Sequence, residues 1–167
     1  MRPAGEGDRA AIFEVESVAF GRADEAQLVE RILASKSAVL GLEFVAEDDG
    51  PILGHILFSH VELLTQHGPR RVLALAPMAV LPERQGQGVG TALVRAGLDA
   101  AERLGEPLIV VLGHAEYYPR FGFVPAHQLG VSPPPEYPAS HFFALPLSAY
   151  EPALRGRIAY PPSFAEL

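Results

Sequence analysis

A glycine-rich segment, Gln85 to Thr91, holds the residues best suited to chemistry in this chain. Gly86, Gly88 and Gly90 leave three of five consecutive positions without the Cβ atom that would hinder the close approach of a ligand. Successive backbone N–H groups can therefore turn toward one anion. The segment lies between an apolar stretch and an amphipathic pattern, and a helix beginning there adds unpaired donors and a positive dipole end. The sequence predicts a pyrophosphate-binding loop.

Two common phosphate-binding patterns do not fit this loop. A Walker loop needs Gly-Lys followed by Ser or Thr, and the only lysine of the chain is Lys36, far upstream. A dinucleotide fingerprint needs a third glycine where Thr91 stands, and an acid near the end of the next strand, which Leu108 to Leu112 lacks. ATP hydrolysis and dinucleotide binding are both disfavoured.

Two short patterns resemble those of one enzyme family. The first is Gln-x-x-Gly-x-Gly, met by Gln85, Gly88 and Gly90, and the second is Tyr-x-x-x-Gly-Phe, met by Tyr118, Gly122 and Phe123. The specific similarity covers about residues 76 to 125, and the order of elements agrees over nearly the whole chain. On these residues the chain resembles the GCN5-related N-acetyltransferase (GNAT) superfamily.

The resemblance implies an α/β (α+β) fold of the GNAT type. Its central sheet is mixed and mostly antiparallel, with about six to seven strands, about four flanking helices, and fourth and fifth strands that splay apart. Pro77 interrupts the apolar run Val72 to Val80. Because proline cannot donate to a strand ladder, that strand must be bulged or unpaired there, which suits the splay.

The resemblance also implies acetyl-CoA as the cosubstrate, with its pantetheine arm between the splayed strands and its pyrophosphate on the glycine loop. No metal is expected. Backbone groups of Met78 and Val80 would hold the pantetheine and the thioester. The residues implied to bind the cofactor are Met78, Ala79, Val80, Gln85, Gly86, Gln87, Gly88, Val89, Gly90 and Thr91.

The implied reaction is N-acetylation of a primary amine of a small molecule or peptide. The neutral amine attacks the thioester carbonyl directly, and a backbone N–H near Met78 stabilises the negative charge that develops. Tyr118 then protonates the departing thiolate. A phenol with a pKa of ~10 is neutral at pH 7, so it can serve as this general acid.

The group that removes the amine proton stays open at this point. The strand Leu73 to Val80 contains no ionisable side chain, and the candidates elsewhere are His114, Glu116, Glu47 and His55. The absence of an obvious base favours an alternative function, a non-catalytic acyl-CoA-binding sensor or assembly module. Tyr118 favours the enzyme, unless its ring only packs beside Tyr117 and Phe121.

Apolar periodicity predicts the elements that position these residues. Helices are predicted over about residues 8–20, 24–35 and 88–104, the second starting at a capping box of Asp24 and Gln27. Asp48 to Pro51 is predicted to turn a hairpin, and His55 and His60 are interpreted as structural. The predicted strands are Glu43–Glu47, Ile52–Phe58, Val72–Val80, Leu108–Leu112, a piece from Val124 and Phe142–Leu145, with a short helix over Glu116–Phe121 and a mostly irregular tail to Leu167.

Length and composition bound the remaining possibilities. The 167 residues predict one domain over residues 1–167, and the absence of cysteine excludes disulfides and thiolate metal sites. The formal charge of −7 is opposite to the footprint of a nucleic-acid binder. No apolar run reaches the ~18 to 20 residues that span a bilayer, and the amino terminus lacks a secretory signal pattern. A cytoplasmic protein is expected, and the resemblance implies a homodimer.

Overall fold

The strands form one mixed sheet in the computed structural model, which describes residues 1–165. The last two residues of the predicted domain and tail, Glu166 and Leu167, lie outside the described part. Nine strands are present there: β1 (Arg2–Pro3), β2 (Ala38–Glu47), β3 (Ile52–Thr65), β4 (Gly68–Val80), β5 (Leu108–Leu112), β6 (Val124–Pro125), β7 (Val131–Ser132), β8 (Phe142–Pro146) and β9 (Gly156–Ala159).

Three α-helices flank the sheet within residues 1–165: α1 (Arg9–Phe20), α2 (Asp24–Leu33) and α3 (Val89–Arg103). The predicted helices are confirmed, but a fourth is replaced by short 3₁₀ turns such as Tyr118–Phe121. The predicted capping box is wrong, because α2 is capped by Ala23 without a side-chain hydrogen bond. Throughout the described chain, each helix is too short or too polar to cross a membrane.

The sheet order is β1-β2-β3-β4-β5-β8-β6, and along that path only the β4–β5 pair is parallel. The mixed, mostly antiparallel fold is therefore confirmed, with more strands than the six to seven expected. One of the additional strands, β9, lies in the tail that was predicted to be irregular. Its four residues pair with both β3 and β7, and a strand this short carries too little periodicity to be recognised.

The two central strands, β4 and β5, separate soon after they meet. Their parallel pairing is limited to Leu73 with Ile109 and Ala74 with Val110. Further along β4, the register against β3 shifts between Leu75 and Met78, so that β4 carries one extra residue there. Pro77 lies in this bulge, as its missing N–H requires. The predicted bulge and splay are confirmed.

Helices cover both faces of the sheet. The core under α1 and α2 includes Ala74 and Val110, whereas the core under α3 includes Leu73 and Ile109. Alternate residues of the same strand thus pack into the cores on opposite faces of the sheet. This is why the sequences of the central strands are continuously apolar.

A glycine allows α3 to lie directly on β3. A Cβ atom at Gly97 would come within 2.0 Å of the Phe58 ring, so only glycine permits this approach. Because α3 begins at the end of the glycine-rich loop, this contact also fixes where the loop stands relative to the sheet.

Buried charges attach α1 to the sheet. His55 on β3 is fully buried, with its Nδ1 2.6 Å from Glu16 of α1 and its Nε2 2.7 Å from Glu43 of β2. Burial alone would lower the pKa of His55, but the hydrogen bonds to both carboxylates raise it overall. Arg9 completes the group with a contact of 2.8 Å to Glu43. His55 therefore joins α1, β2 and β3 through its hydrogen bonds to the two carboxylates.

We expect His55→Ala to lower the free energy of unfolding by about 3 kcal/mol, because it leaves the Glu16 carboxylate buried without a partner. Urea denaturation at pH 6 measures the change. His60→Ala is the control, since His60 contacts a single carboxylate, that of Glu106, and is partly exposed. Equal losses in the two variants would contradict the role given to His55.

Candidate active site

The gap between β4 and β5 exposes the backbone of β4. The Leu81 amide donates to the Leu53 carbonyl of β3 over 2.9 Å. Because bonded positions alternate along an antiparallel pair, the backbone groups of Met78 and Val80 point away from β3 and toward the gap. The Gln85 side chain reaches Val80 from this side, donating to its carbonyl oxygen over 3.1 Å.

The glycine-rich loop opens onto this gap. Gly86 and Gly88 have φ angles of 76° and 87°, and a Cβ atom on either would meet nothing within 4 Å. Their left-handed conformation, not crowding, is what favours glycine at these positions. A cavity of 450 Å³ lies over the loop and is lined by Met78, Val80, Gln85, Gly86, Gly88, Gly90, Thr91, Tyr117 and Arg120.

Seven of the ten residues predicted to bind the cofactor therefore border one cavity. The other three are Ala79, Gln87 and Val89. Ala79 is buried in the core between the sheet and helices α1 and α2. Val89 packs toward Gly54, and the Gln87 side chain donates to the Glu83 carbonyl over 3.2 Å. Their side chains build the loop and its surroundings without lining the cavity.

A second cavity, of 480 Å³, lies on the other side of the gap. We call it the apolar cavity. It shares Met78 and Tyr117 with the loop cavity, so the two meet there. It is lined by Phe20, Glu25, Leu28, Ala74, Leu75, Ala76, Pro77, Met78, Leu112, Gly113, His114, Tyr117, Tyr118, Tyr137, Tyr160 and Phe164.

Tyr118 borders the apolar cavity. Its ring is only 7% exposed and packs edge-on against Tyr117 and Phe123, with centroid separations of 5.1 and 5.6 Å. Within residues 1–165 its hydroxyl has no hydrogen-bond partner, which leaves it available to a ligand. Burial, with a smaller effect of Tyr117, raises the pKa of this phenol above its ordinary value. The ring of Tyr118 is thus packed in the core, and its residue also borders the apolar cavity.

Tyr117 lies where the two cavities meet, and the sequence patterns did not single it out. Its hydroxyl would be 2.8 Å from a Cβ atom on Gly90, so a larger residue at position 90 would displace the Tyr117 side chain from this place. The Arg120 guanidinium stacks over the Tyr117 ring, 4.7 Å from its centroid, and borders the loop cavity. An arginine and a phenol therefore stand beside the glycine loop.

The structure separates the four candidate bases. His114 borders the apolar cavity and is exposed. His55 has both ring nitrogens engaged by carboxylates, and Glu47 pairs with Arg2 at the β1 edge of the sheet. Glu116 does not line either cavity. His114 alone among them is placed at the site.

Glu25 was missed by sequence reasoning. It is only 6% exposed, it borders the apolar cavity, and its carboxylate is paired with Arg22. The signal was available, because residue 25 falls on the same helical face as the buried Leu28, Val29 and Ile32. An acid on a buried face indicates a specific partner or a site.

A family model for the acetyltransferase (GNAT) domain matches residues 41–125, which contain the loop, the gap and Tyr118. The chain belongs to the GNAT acetyltransferase family. It is 41% identical over 137 residues to the uncharacterized N-acetyltransferase YjhQ of Escherichia coli K12, an alignment that covers 81% of this chain and 76% of YjhQ.

Two solved GNAT structures are similar over almost the whole chain. One is the GNAT N-acetyltransferase YhbS of Escherichia coli in complex with CoA, with a TM-score of 0.88, 29% identity, and coverage of 99% of this chain and 91% of YhbS. The other is a GNAT acetyltransferase of Brucella melitensis in complex with acetyl-CoA, with a TM-score of 0.78, 34% identity, and coverage of 98% and 96%.

The part that matches the GNAT domain does not supply the whole site. Phe20, Glu25 and Leu28 come from α1 and α2, before the matched residues, and Tyr137, Tyr160 and Phe164 come after them. The loop cavity therefore lies mainly within the family's domain, whereas much of the wall of the apolar cavity is built by flanking segments.

We expect the Tyr118 phenol to titrate later than ordinary tyrosines, because burial disfavours the charged phenolate. The tyrosinate absorbance of the native protein and of Tyr118→Phe should coincide through about pH 10 and separate only above it. A difference that already appears near pH 9 would contradict the burial of this hydroxyl.

Proposed function

We propose that this chain is an acetyl-CoA-dependent N-acetyltransferase that acts on a primary amine of a small molecule or peptide, with Tyr118 as general acid. One observation carries the proposal: the loop cavity and the apolar cavity meet at Met78, where β4 turns unpaired backbone toward the gap. The cofactor complexes of YhbS and of the Brucella melitensis protein support it.

The residues on the loop side fit coenzyme A. The open, left-handed backbone at Gly86 and Gly88, followed by the start of α3, suits a diphosphate. Arg120 adds a positive charge at the same cavity. The gap-facing backbone groups of Met78 and Val80 suit the amides of a pantetheine arm. Bound in this way, coenzyme A supplies an activated acetyl group at the border of the apolar cavity.

The amine reacts from the apolar cavity. Its nitrogen, after losing a proton, attacks the thioester carbonyl carbon, so that a C–N bond forms as the C–S bond breaks. The proton leaves at the side of the cavity where His114 is exposed. The nitrogen releases a second proton as the amide forms. Tyr118 donates its proton to the sulfur and is reprotonated through solvent by this second proton, so that the ammonium and the thioester yield an amide, a thiol and one released proton. Protons and electron pairs balance without any further reactant.

The raised pKa of Tyr118 is compatible with this role. The same burial that raises the pKa of the phenol also disfavours a thiolate in the cavity and raises the pKa of the thiol. The acid and the group it protonates are therefore shifted in the same direction.

The position of His114 weakens the case for the alternative, a non-catalytic acyl-CoA sensor or assembly module, which was favoured by the absence of an obvious base. The sequence showed no obvious base, but His114, one of the candidate bases, borders the apolar cavity. The cytoplasmic location, the single domain and the homodimer remain predictions.

We expect Gly88→Glu to weaken coenzyme A binding by more than about 100-fold, because the carboxylate of the introduced side chain repels the diphosphate in the loop cavity. Calorimetric titration with coenzyme A measures the loss. Gly105→Glu is the matched control, since Gly105 has a similar φ of 77° and equally open surroundings at the far end of α3. Both variants should lose about 1 kcal/mol of stability from the strained backbone. Unchanged affinity in Gly88→Glu would remove the phosphate assignment.

We expect Tyr118→Phe to lower kcat about 100-fold without changing coenzyme A affinity, because the ring is kept and only the proton donor is lost. Thiol release from acetyl-CoA across a panel of amines measures the rate. Since burial keeps the phenol protonated, kcat of the native protein should not decline on the alkaline side below about pH 10. Tight cofactor binding with no turnover on any amine would instead support the sensor.

A further inference from the structure

The walls of the apolar cavity are formed largely by rings and alkyl groups. Tyr137 and Tyr160 pack edge-on with their centroids 5.5 Å apart, and Phe164 lies against Tyr160 at 4.9 Å. Phe20 and Leu28 approach from α1 and α2. Such walls gain energy from an apolar body of the ligand and offer little to a polar one.

One acid faces this apolar interior. Of the cavity's lining residues within the described chain, Glu25 is the only acidic one, and none is lysine or arginine. The Glu25 side chain is 8% exposed, whereas its partner Arg22 is 54% exposed. Arg22 donates to both oxygens of the Glu25 carboxylate but does not line the cavity. Because water weakens the charge of the exposed guanidinium, it offsets only part of the negative charge that Glu25 presents to the cavity.

This distribution of charge selects among amines. An ammonium group gains a buried anionic partner at Glu25 and aromatic faces around it. A carboxylate on the same molecule would be buried without any cationic side chain to receive it, at a high desolvation cost. A second ammonium would likewise lack a second acid. A peptide would bury backbone groups against walls that have few polar partners.

We propose that the acceptor is a small monoamine without a carboxylate, carried on an aromatic or alkyl body, and that Glu25 binds its ammonium group. This inference rests on the proposed function, because it assigns the apolar cavity to the amine. The volume of 480 Å³ suits a body the size of one or two rings. Glu25 selects and holds the substrate, so its effect falls on KM.

Matched pairs of amines test the substrate class. We expect 2-phenylethylamine to be acetylated with a kcat/KM about 100-fold above that of phenylalanine, which differs only by its carboxylate. Hexylamine should exceed 1,6-diaminohexane, which adds a second ammonium. Equal or faster acetylation of phenylalanine, of the diamine or of a peptide would overturn the proposal.

Two pairs of variants test the residues. Glu25→Gln should raise KM for 2-phenylethylamine about 30-fold with little change in kcat, whereas Asp24→Asn, which removes another carboxylate paired with Arg22 outside the cavity, should leave KM unchanged. Phe20→Ala should raise KM about tenfold. Val18→Ala is its control, because Val18 is similarly exposed on α1 but does not line the cavity.

A binding measurement separates this inference from the proposed function. Calorimetric titration of 2-phenylethylamine into the protein, with and without coenzyme A, should show binding that Glu25→Gln weakens about 30-fold. If the amine binds in this way but no amine is acetylated, the proposed function fails and the assignment of Glu25 stands. If acetylation proceeds but Glu25→Gln binds and reacts like the native protein, the assignment of Glu25 fails alone.

Discussion

The site depends on the parting of two strands. β4 and β5 are joined at only two residue pairs, and the bulge at Pro77 turns β4 away just beyond them. A proline at this point cannot donate to a neighbouring strand, so closing the sheet here would gain little. The orientation of the Met78 and Val80 backbone groups toward the gap, without a partner strand, follows directly from that constraint. Without it, the loop cavity and the apolar cavity would have no common border.

The two cavities have different origins in the chain. The glycine loop, the bulged strand and Tyr118 lie within the residues that match the GNAT domain. Most of the aromatic wall and Glu25 come from α1, α2 and the segment after residue 130. In the proposed enzyme, cofactor binding and acceptor selection can therefore vary independently, because a change in the flanking segments leaves the loop and its backbone donors in place.

Three glutamates with little exposed side chain, Glu16, Glu43 and Glu25, differ in the groups that pair with their carboxylates. Glu16 and Glu43 are held on the two nitrogens of His55, and the Arg9 guanidinium also contacts Glu43. Glu25 instead has its partner Arg22 on the solvent side and an apolar cavity on the other. The first arrangement is largely buried and joins elements, whereas the second pairs its carboxylate with an exposed arginine and also borders a cavity.

The sequence by itself determined the features that arise from neighbours along the chain. The spacing of Gly86, Gly88 and Gly90, the limits of β5 and the bulge at Pro77 follow from local backbone preferences, which act within a few residues. Only the tertiary structure decided that Glu16 and Glu43 meet His55, that β9 joins the sheet, and that Glu25 faces the same cavity as Tyr118. These contacts join residues far apart in sequence, and no local pattern specifies which distant partner a buried charge or a short strand will find.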